Sequence, residues 1–316
     1  MAKRKRKPTV TQTIMTEVFA KTKNIPNDVT RRVYNRSAKK FVDYCRATHD
    51  VRTYDECKVH LQDYANSLVE RGYSAYTIHT YLAGACKAFD LKIGDIDKPK
   101  RRISEIYRGR DNAPLTTSSD MNHPKWQYLI EFQRRVGIRR TELMKLTGKD
   151  FLHEDGKYYV FVKRGKGGKQ QKQYIRPEDA AFVKSYFDIV GPNERVFAPE
   201  LFNNTLNLHK LRADAAKQIY FEIIEKLRKT PEFSKELERD IIERWQKCKI
   251  NKRTGKPPPF PYSEIQGFYT LRGENRKNAI KRGMPTSYLK LAVMWVSMFK
   301  LSHFRNDVTV QNYLLA

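Results

Sequence analysis

Apolar residues recur at three- and four-residue intervals over most of the chain, which is the spacing of one face of an α-helix. Three such stretches lie between residues 26 and 95. The apolar positions of the first are Val29, Val33, Tyr34, Ala38, Phe41, Val42 and Cys45. The second begins at Thr53, where Glu56 completes a capping-box spacing, and it ends at Gly72. The third begins at Ser74, and together the three predict a small helical bundle.

The pattern changes twice in the second half of the chain. Residues 96–120 contain six Lys or Arg, with Pro and polar residues and no periodic apolar face. This composition predicts an interdomain linker whose basic side chains lie along phosphate groups. Later, β-rich stretches at Tyr158–Val162 and Gln170–Ile175 flank a Gly/Lys turn and predict a β-hairpin. The rest of residues 121–316 has helical periodicity, apart from a Pro-rich loop at 249–264.

These elements predict a mainly α protein with a small β-hairpin or sheet, of the α+β class. We divide it into a loosely ordered basic arm (1–25), a helical domain (26–95), the linker (96–120) and a larger domain (121–316). Each of the two domains is long enough to bury a core of its own.

The balance of charges is the strongest compositional signal. The chain has 316 residues, with 62 Lys+Arg against 35 Asp+Glu, which is a net charge of +27. Such an excess predicts a polyanionic partner, and we expect double-stranded DNA rather than an anionic membrane. No apolar run approaches the ~20 residues of a membrane helix. The basic start MAKRKRKPTV lacks the apolar core of a secretory signal.

The four cysteines show neither a CxxC pairing nor a histidine at metal-ligand spacing. We interpret them as reduced intracellular thiols, and we expect no structural zinc. They are Cys45, Cys57, Cys86 and Cys248.

Several short motifs carry residues suited to phosphate chemistry, and each is weak alone. GKGGK contains Lys166, but Gly167 and a strand follow it, so the P-loop pattern is absent. Lys166 is then either the solvated tip of a hairpin or a lysine carried into a groove to protonate a leaving group. In HKLRADAA, His209 and Arg212 share one helical face. In GIRRTEL, Arg139 lies between two helices, where its planar fork can address a phosphate.

The last motif is LSHFRNDVTVQNY, which contains His303 and Tyr313. Taken in order, the motifs resemble those of the tyrosine recombinases (phage integrases), a family of site-specific DNA recombinases. GIRRTEL is similar to that family's G-[LI]-R-x-x-E-[LI] box, HKLRADAA to its HxLRxxxA box, and LSHFRNDVTVQNY to its LGH…T…Y ending. The resemblance implies that residues 121–316 are the catalytic domain and that the helical module is the core-binding domain.

The resemblance also implies a nucleophile and its charge partners. Tyr313 is expected to attack the scissile phosphate and to form a 3′-phosphotyrosyl intermediate. Arg139 and Arg212 are expected to hold the two non-bridging oxygens as negative charge develops on them.

Three further roles are implied in the same way. Lys166 would protonate the departing 5′ oxygen, His209 would assist proton transfer at the tyrosine, and His303 would hydrogen-bond a phosphate oxygen. Chemistry of this kind needs neither a metal nor a cofactor, and the sequence contains no acidic cluster suited to catalytic Mg²⁺.

The chain departs from the family pattern in its spacing. Ninety residues separate Arg212 from His303, so we expect an insertion at about 228–290. Inside it, FYTLRGENRK offers Tyr269 and Arg272 as an alternative second box, with tyrosine in place of the histidine. We prefer HKLR, because it keeps the histidine and the alanine four positions after the arginine.

We therefore predict a site-specific DNA recombinase that integrates or excises a mobile element. It would act as a homo-tetramer, with a dimer on each site. The sequence does not identify accessory DNA-bending factors. Only three residues follow Tyr313, too few for the C-terminal helix that many relatives exchange between subunits. Alternatives are a telomere resolvase or resolution recombinase of the same chemistry, and a DNA-binding protein that has lost catalysis. The expected location is the cytoplasm or nucleoid for a prokaryotic or viral protein, and the nucleus for a eukaryotic one.

Overall fold

The structure is a computed structural model of the 316-residue chain. It describes residues 8–102, 115, 124–163, 165, 170–202, 206–248 and 254–315. The chain divides into two compact units, Met1–Ile103 and Ser104–Ala316. Within the described ranges the protein is mainly α-helical with two small antiparallel sheets, which confirms the predicted fold class.

Five α-helices build the described part of the first unit. Side chains of Thr9, Asn27, Thr53 and Ser74 accept hydrogen bonds from backbone N–H groups in first turns, and so define where four of the helices begin. The helices are α1 (Val10–Thr22), α2 (Asp28–Thr48), α3 (Tyr54–Lys58), α4 (Leu61–Glu70) and α5 (Ala75–Ala88).

Helices α2 and α5 pack closely in this unit. Phe41 and Phe89 meet edge to face with ring centres 5.2 Å apart, and both side chains are fully buried. At Gly84 the α5 backbone approaches α2 so closely that an added Cβ would lie 2.5 Å from the Ser37 Cβ. The absence of a side chain at position 84 is therefore what allows the two helices to pack at this distance.

Two elements of the unit differ from the sequence predictions. Residues 10–22, which we expected to be part of a loosely ordered arm, form α1, and its Ile14 and Val18 are fully buried in the core of the unit. Burial of this i, i+4 pair orders a segment that its basic neighbours suggested was solvated. The single helix predicted between Thr53 and Gly72 is interrupted at residues 59–60.

Part of the predicted linker is tied to the first unit. The side-chain amide of Gln62 accepts a hydrogen bond from the Asp97 N–H (2.9 Å) and donates one to the Asp97 carbonyl (3.1 Å). Residues 103–114 and 116–123 lie outside the described residues, so the remainder of the linker stays a prediction.

The second unit contains more elements, and the ranges follow in chain order. They are α6 (Pro124–Val136), α7 (Arg140–Leu143), β1 (Phe151–Glu154), β2 (Lys157–Val162), β3 (Gln171–Ile175), α8 (Pro177–Asp188), α9 (Leu208–Lys229), α10 (Phe233–Cys248), β4 (Phe268–Thr270), α11 (Gly273–Lys281), β5 (Ser287–Leu289), α12 (Lys290–Phe299) and α13 (Asn306–Thr309), which a π-helical turn (Val310–Leu314) continues. None of the helices in the described ranges combines the length and the apolarity needed to cross a membrane.

The predicted hairpin is present as β2 and β3. The two strands are antiparallel, with Tyr158 opposite Ile175 and Val162 opposite Gln171. Strand β1, which the sequence analysis missed, pairs with the other edge of β2 and completes a three-stranded sheet. It is only four residues long and shows too short an alternation to be recognised.

The segment predicted as an insertion contributes to the core of the second unit. Leu237 and Ile241 of α10 and Tyr288 of β5 are buried in one apolar cluster with the residues of α12. Strands β4 and β5 form a small antiparallel sheet, in which Tyr269 lies opposite Tyr288. The segment 228–290 thus supplies part of the core of the second unit.

Gly84 provides a test of the packing in the first unit. We expect Gly84→Val to lower the free energy of unfolding by about 1–3 kcal/mol, because the new side chain overlaps Ser37. Gly94→Val is the matched control, since no atom lies within 4 Å of the added Cβ there. Thermal unfolding followed by far-UV circular dichroism measures both. Equal melting temperatures for the two variants would contradict the close approach.

Candidate active site

The turn between α6 and α7 carries the first arginine of the motif set. Gly137 ends α6 in the left-handed region, with φ of 68°, and its N–H donates to the Gln133 carbonyl at 2.9 Å. Arg139 follows as the N-cap of α7. The Glu142 carboxylate accepts from the Arg139 backbone N–H (2.8 Å) and from its Nη1 (2.6 Å). Because the Glu142 side chain is 0% exposed, this pair orients the guanidinium firmly.

The second arginine, Arg212 on α9, is fully buried. Its Nη1 donates to the Gly137 carbonyl and its Nη2 to the Leu301 carbonyl, both at 2.8 Å. The Glu142 carboxylate lies 3.9 Å away. Burial lowers the pKa of Arg212, and the Tyr313 hydroxyl that is hydrogen-bonded to it acts in the opposite direction. The Arg212 Nε has no hydrogen-bond partner among the described residues.

His303 lies on a loop of unusual backbone conformation after α12. The residues on either side, Ser302 and Phe304, have φ of 53° and 56°, a region that costs residues other than glycine about 1–2 kcal/mol each. Two hydrogen bonds to one serine hold the loop: the His303 N–H donates to the Ser297 carbonyl and the Arg305 N–H to the Ser297 Oγ, both at 2.9 Å. These bonds hold the backbone of the loop in this conformation despite the strain.

Tyr313 lies in the π-helical turn Val310–Leu314 and is only 4% exposed. Its hydroxyl lies 3.2 Å from Nε2 of His303. The guanidinium carbon of Arg212 is 5.7 Å from the centre of the tyrosine ring, and the His209 ring meets that ring edge-on with centres 5.3 Å apart. The tyrosine therefore points into a cluster of cationic and imidazole groups.

The hydrogen bonds to His303 indicate its tautomer. Nη2 of Arg139 lies 3.1 Å from His303 Nε2, and a guanidinium can only donate. A nitrogen that accepts from Arg139 is unprotonated, and its one in-plane lone pair is then shared between that guanidinium and the Tyr313 hydroxyl at 3.2 Å. The arrangement places a basic nitrogen against the tyrosine proton.

The structure thus brings together five of the six residues that the sequence singled out. They are Arg139, His209, Arg212, His303 and Tyr313. The sixth, Lys166, lies outside the described residues, and its position in the site stays a prediction. The sequence analysis placed His209 at the tyrosine proton, whereas here His303 is hydrogen-bonded to the hydroxyl and His209 packs against the ring.

The alternative box occupies a different environment. Arg272 is exposed at the N-cap of α11, and its side chain forms no hydrogen bond with the residues that the structure describes. The Tyr269 hydroxyl accepts a hydrogen bond from Gln311 Nε2 at 2.6 Å. Of the two candidate arginines, only Arg212 belongs to the cluster around Tyr313.

Sequence reasoning missed three supporting side chains. Glu142 was visible as the acidic residue of GIRRTEL, but spacing alone could not show that it faces two guanidinium groups. Gln173 of β3 donates to the Val136 carbonyl (2.9 Å) and to the Lys300 carbonyl, which joins the end of α6 to the end of α12. The Lys300 Nζ donates to the Arg135 carbonyl at 2.5 Å. Burial lowers the pKa of Lys300 to about 7.

Elsewhere in the described residues, one group of side chains offers metal-ligand atoms close together. Ligand atoms of His49, His60 and Asp63 all lie within 4.8 Å of one another. The two imidazole rings are stacked, with centres 3.8 Å apart and an angle of 11° between them. Because each lone pair lies in its own ring plane, nearly parallel rings cannot both direct a nitrogen at one ion. This geometry does not make a metal site.

Comparison with known proteins adds little to this geometry. No protein-family model and no curated protein matches the chain. A solved structure of the XerA recombinase is similar at 18% sequence identity, covering 66% of this chain and 84% of that one, with a TM-score of 0.23. A TM-score this low does not indicate a shared arrangement of elements, so the functional interpretation depends on the site of this chain.

The strain beside His303 can be tested at Ser302. We expect Ser302→Gly to raise the free energy of unfolding by about 0.5–1 kcal/mol. Glycine relieves the strain of the left-handed conformation, and the conformational entropy that glycine loses on folding offsets only part of this gain. The change also removes a buried hydroxyl that has no partner among the described residues. Ser185→Gly, in an exposed part of α8, is the control and should lower stability instead.

Denaturant unfolding measured by tryptophan fluorescence is suited to this comparison. The chain has three tryptophans, at positions 126, 245 and 295, and all lie in the second unit. Destabilisation by Ser302→Gly as large as that by Ser185→Gly would contradict the strained loop.

Proposed function

We propose that this chain is a DNA strand transferase of the tyrosine recombinase type, with Tyr313 as its nucleophile. The observation that carries the proposal is the Tyr313 hydroxyl, which is hydrogen-bonded to His303 Nε2 beside two guanidinium groups. A buried tyrosine that is hydrogen-bonded to an accepting imidazole is the arrangement of an activated nucleophile. Nearby cations offset the negative charge that develops during the reaction.

The electrostatics of the site favour a phosphate as the substrate group. Arg139 and Arg212 share one buried carboxylate, Glu142, so the cluster keeps an excess of positive charge. The Arg212 Nε–H, without a partner among the described residues, leaves a donor for an anionic oxygen. The net charge of +27 suits a polyanion of many phosphates rather than a single small molecule. We therefore propose double-stranded DNA as the substrate.

In the proposed reaction, the Tyr313 oxygen attacks the phosphorus of a backbone phosphodiester. The bond to the 5′ oxygen breaks, and a 3′-phosphotyrosyl bond takes its place. His303 Nε2 accepts the tyrosine proton, while Arg139 and Arg212 stabilise the charge on the non-bridging oxygens. The departing 5′ oxygen takes up a proton, for which we propose Lys166 as the donor. Because one phosphoester replaces another, attack by a second 5′ hydroxyl can rejoin the strands without an external energy source.

The biological setting is proposed from the same chemistry. Strand exchange between two duplexes requires four cleavages, which favours a homo-tetramer with a dimer on each site. We propose integration or excision of a mobile element, with resolution of replicated ends as the alternative task. A DNA-binding protein that has lost catalysis is the rival class, and the assembled Tyr313 cluster argues against it. The location follows the DNA: cytoplasm or nucleoid in a prokaryote or virus, nucleus in a eukaryote.

Covalent trapping tests the nucleophile. We expect the protein to form an adduct that survives denaturing electrophoresis when it is incubated with a pool of random-sequence duplexes carrying a nick at a fixed position. The nick lets the short product strand diffuse away, so the adduct accumulates, and sequencing of the trapped DNA identifies the site. Tyr313→Phe should keep DNA binding and form no adduct, because only the hydroxyl is lost. An adduct formed by Tyr313→Phe would exclude Tyr313 as the nucleophile.

A pair of matched variants tests the arginine assignment. Arg212→Lys keeps a positive charge but loses the planar fork, so the single-turnover cleavage rate at saturating protein should fall by about 10²–10³-fold. Arg272→Lys, in the alternative box, should change the rate by no more than a few-fold, since Arg272 is exposed. Thermal unfolding of each variant checks that both are folded. The opposite ranking of the two rates would assign the catalytic role to Arg272.

A further inference from the structure

The segment that carries Tyr313, residues 306–315, is held at three points by residues 264–282. Before the tyrosine, Asn306 Nδ2 donates to the carbonyl and to Oε2 of Glu264, at 2.7 and 2.9 Å. After it, the Arg282 Nη1 donates to the Leu315 carbonyl at 2.7 Å. The third contact, between Tyr269 and Gln311, lies closest to the nucleophile. We call residues 306–315 the tyrosine segment.

The contact of Tyr269 with Gln311 has a geometry suited to positioning. Gln311 Nε2 donates to the Tyr269 hydroxyl at 2.6 Å, two residues before Tyr313 in the same π-helical turn. That turn is closed by a bond from the Leu315 N–H to the Val310 carbonyl (2.8 Å), five residues apart. A π-helical turn is wider and less stable than an α-helical one, so its orientation depends on outside contacts.

Tyr269 is well placed to provide such a contact. It is the middle residue of β4, with exposed neighbours on either side, so the strand turns this one side chain inward. Pairing with β5 fixes the strand, and Tyr269 lies opposite the fully buried Tyr288. Burial raises the pKa of Tyr269, so its phenol is neutral and acts through a hydrogen bond rather than as a base.

We propose that Tyr269 is a positioning residue for Tyr313, acting through Gln311 to hold the nucleophile in the site of its own chain. The proposal builds on the function proposed above and extends it to the regulation of that site. The motif FYTLRG would then serve the reaction by orienting the tyrosine segment and not by supplying an arginine to the phosphate. Breaking the contact should lower the rate of the covalent step without weakening DNA binding.

A double-mutant cycle tests the coupling. Tyr269→Phe removes only the accepting hydroxyl, and Gln311→Met removes the side-chain amide that donates to it while keeping a side chain of similar size. We expect each to slow single-turnover adduct formation on the trapped DNA by about fivefold at saturating protein, the effect of one ordinary hydrogen bond. The double variant should be no slower than the slower single variant, because both remove the same interaction. If the two substitutions caused independent structural defects, their effects on the rate of adduct formation would multiply instead.

Tyr288→Phe is the matched control. It is the cross-strand partner of Tyr269, and its hydroxyl has no hydrogen-bond partner among the described residues. We expect it to leave the adduct rate and the DNA affinity unchanged. If Tyr288→Phe lowered the adduct rate as much as Tyr269→Phe does, any loss of a hydroxyl from this sheet would slow the reaction. That result would overturn a specific role for Tyr269.

Amide hydrogen exchange of the DNA-free protein separates the two proposals. Tyr269→Phe and Gln311→Met should both speed exchange across residues 310–315, whereas Tyr288→Phe should not. If the wild-type protein forms no adduct with any DNA of the pool, the proposed function fails and the positioning role fails with it. If the wild-type protein is active but the variants show unchanged rates and unchanged exchange, the positioning role alone is overturned.

Discussion

A guanidinium group that is fully buried must find acceptors for its N–H groups inside the protein, because water cannot supply them. Arg212 meets this requirement for its Nη1 and Nη2 groups by donating to the carbonyls of Gly137 and Leu301, which lie in segments far apart in the chain. A buried carboxylate, Glu142, lies 3.9 Å away and offsets part of the charge. The need to satisfy this one side chain therefore brings three segments together, and the rest of the site is arranged around it.

The same carbonyls explain the special residues nearby. Gly137 must adopt positive φ to end α6 and turn its carbonyl toward Arg212, and an added Cβ would lie 3.1 Å from that of Ala215 on α9. After Leu301, the residue before His303 and the residue after it both adopt the left-handed conformation. Such strain persists only where surrounding contacts over-determine the backbone, as the bonds to Ser297 do here. The strained loop directs His303 at both Arg139 and Tyr313.

The segment between the two halves of the motif set has a second effect on the site. Residues that a spacing argument treats as an insertion form part of the core and contact the tyrosine segment before, within and after the π-helical turn. Tyr269 and Arg272 belong to one short motif but have different environments. The tyrosine is half-buried beside Gln311, whereas the arginine is exposed to solvent. The two residues are three positions apart, and the backbone stays extended from β4 to the N-cap of α11, so their side chains face opposite sides.

The sequence by itself determined the features that depend on local spacing. Apolar periodicity located α2 and α5, the caps at Thr53 and Ser74 marked helix starts, and the hairpin strands β2 and β3 were recognised from their composition. The motif order also singled out Arg139, His209, Arg212, His303 and Tyr313 as residues that belong together. Local patterns are sufficient here because a helix cap, a strand or a motif involves only residues within a few positions of one another.

Only the tertiary structure decided features that depend on contacts between distant segments. Val29 and Val33 fit the apolar face of α2 in sequence but are 67% and 39% exposed, because the other helices of the first unit leave that end of α2 uncovered. The choice of Arg212 over Arg272, and of His303 as the partner of the tyrosine hydroxyl, likewise followed from contacts that span up to 164 positions. Burial and hydrogen bonding depend on what the rest of the chain places nearby, and spacing along one segment carries no information about that.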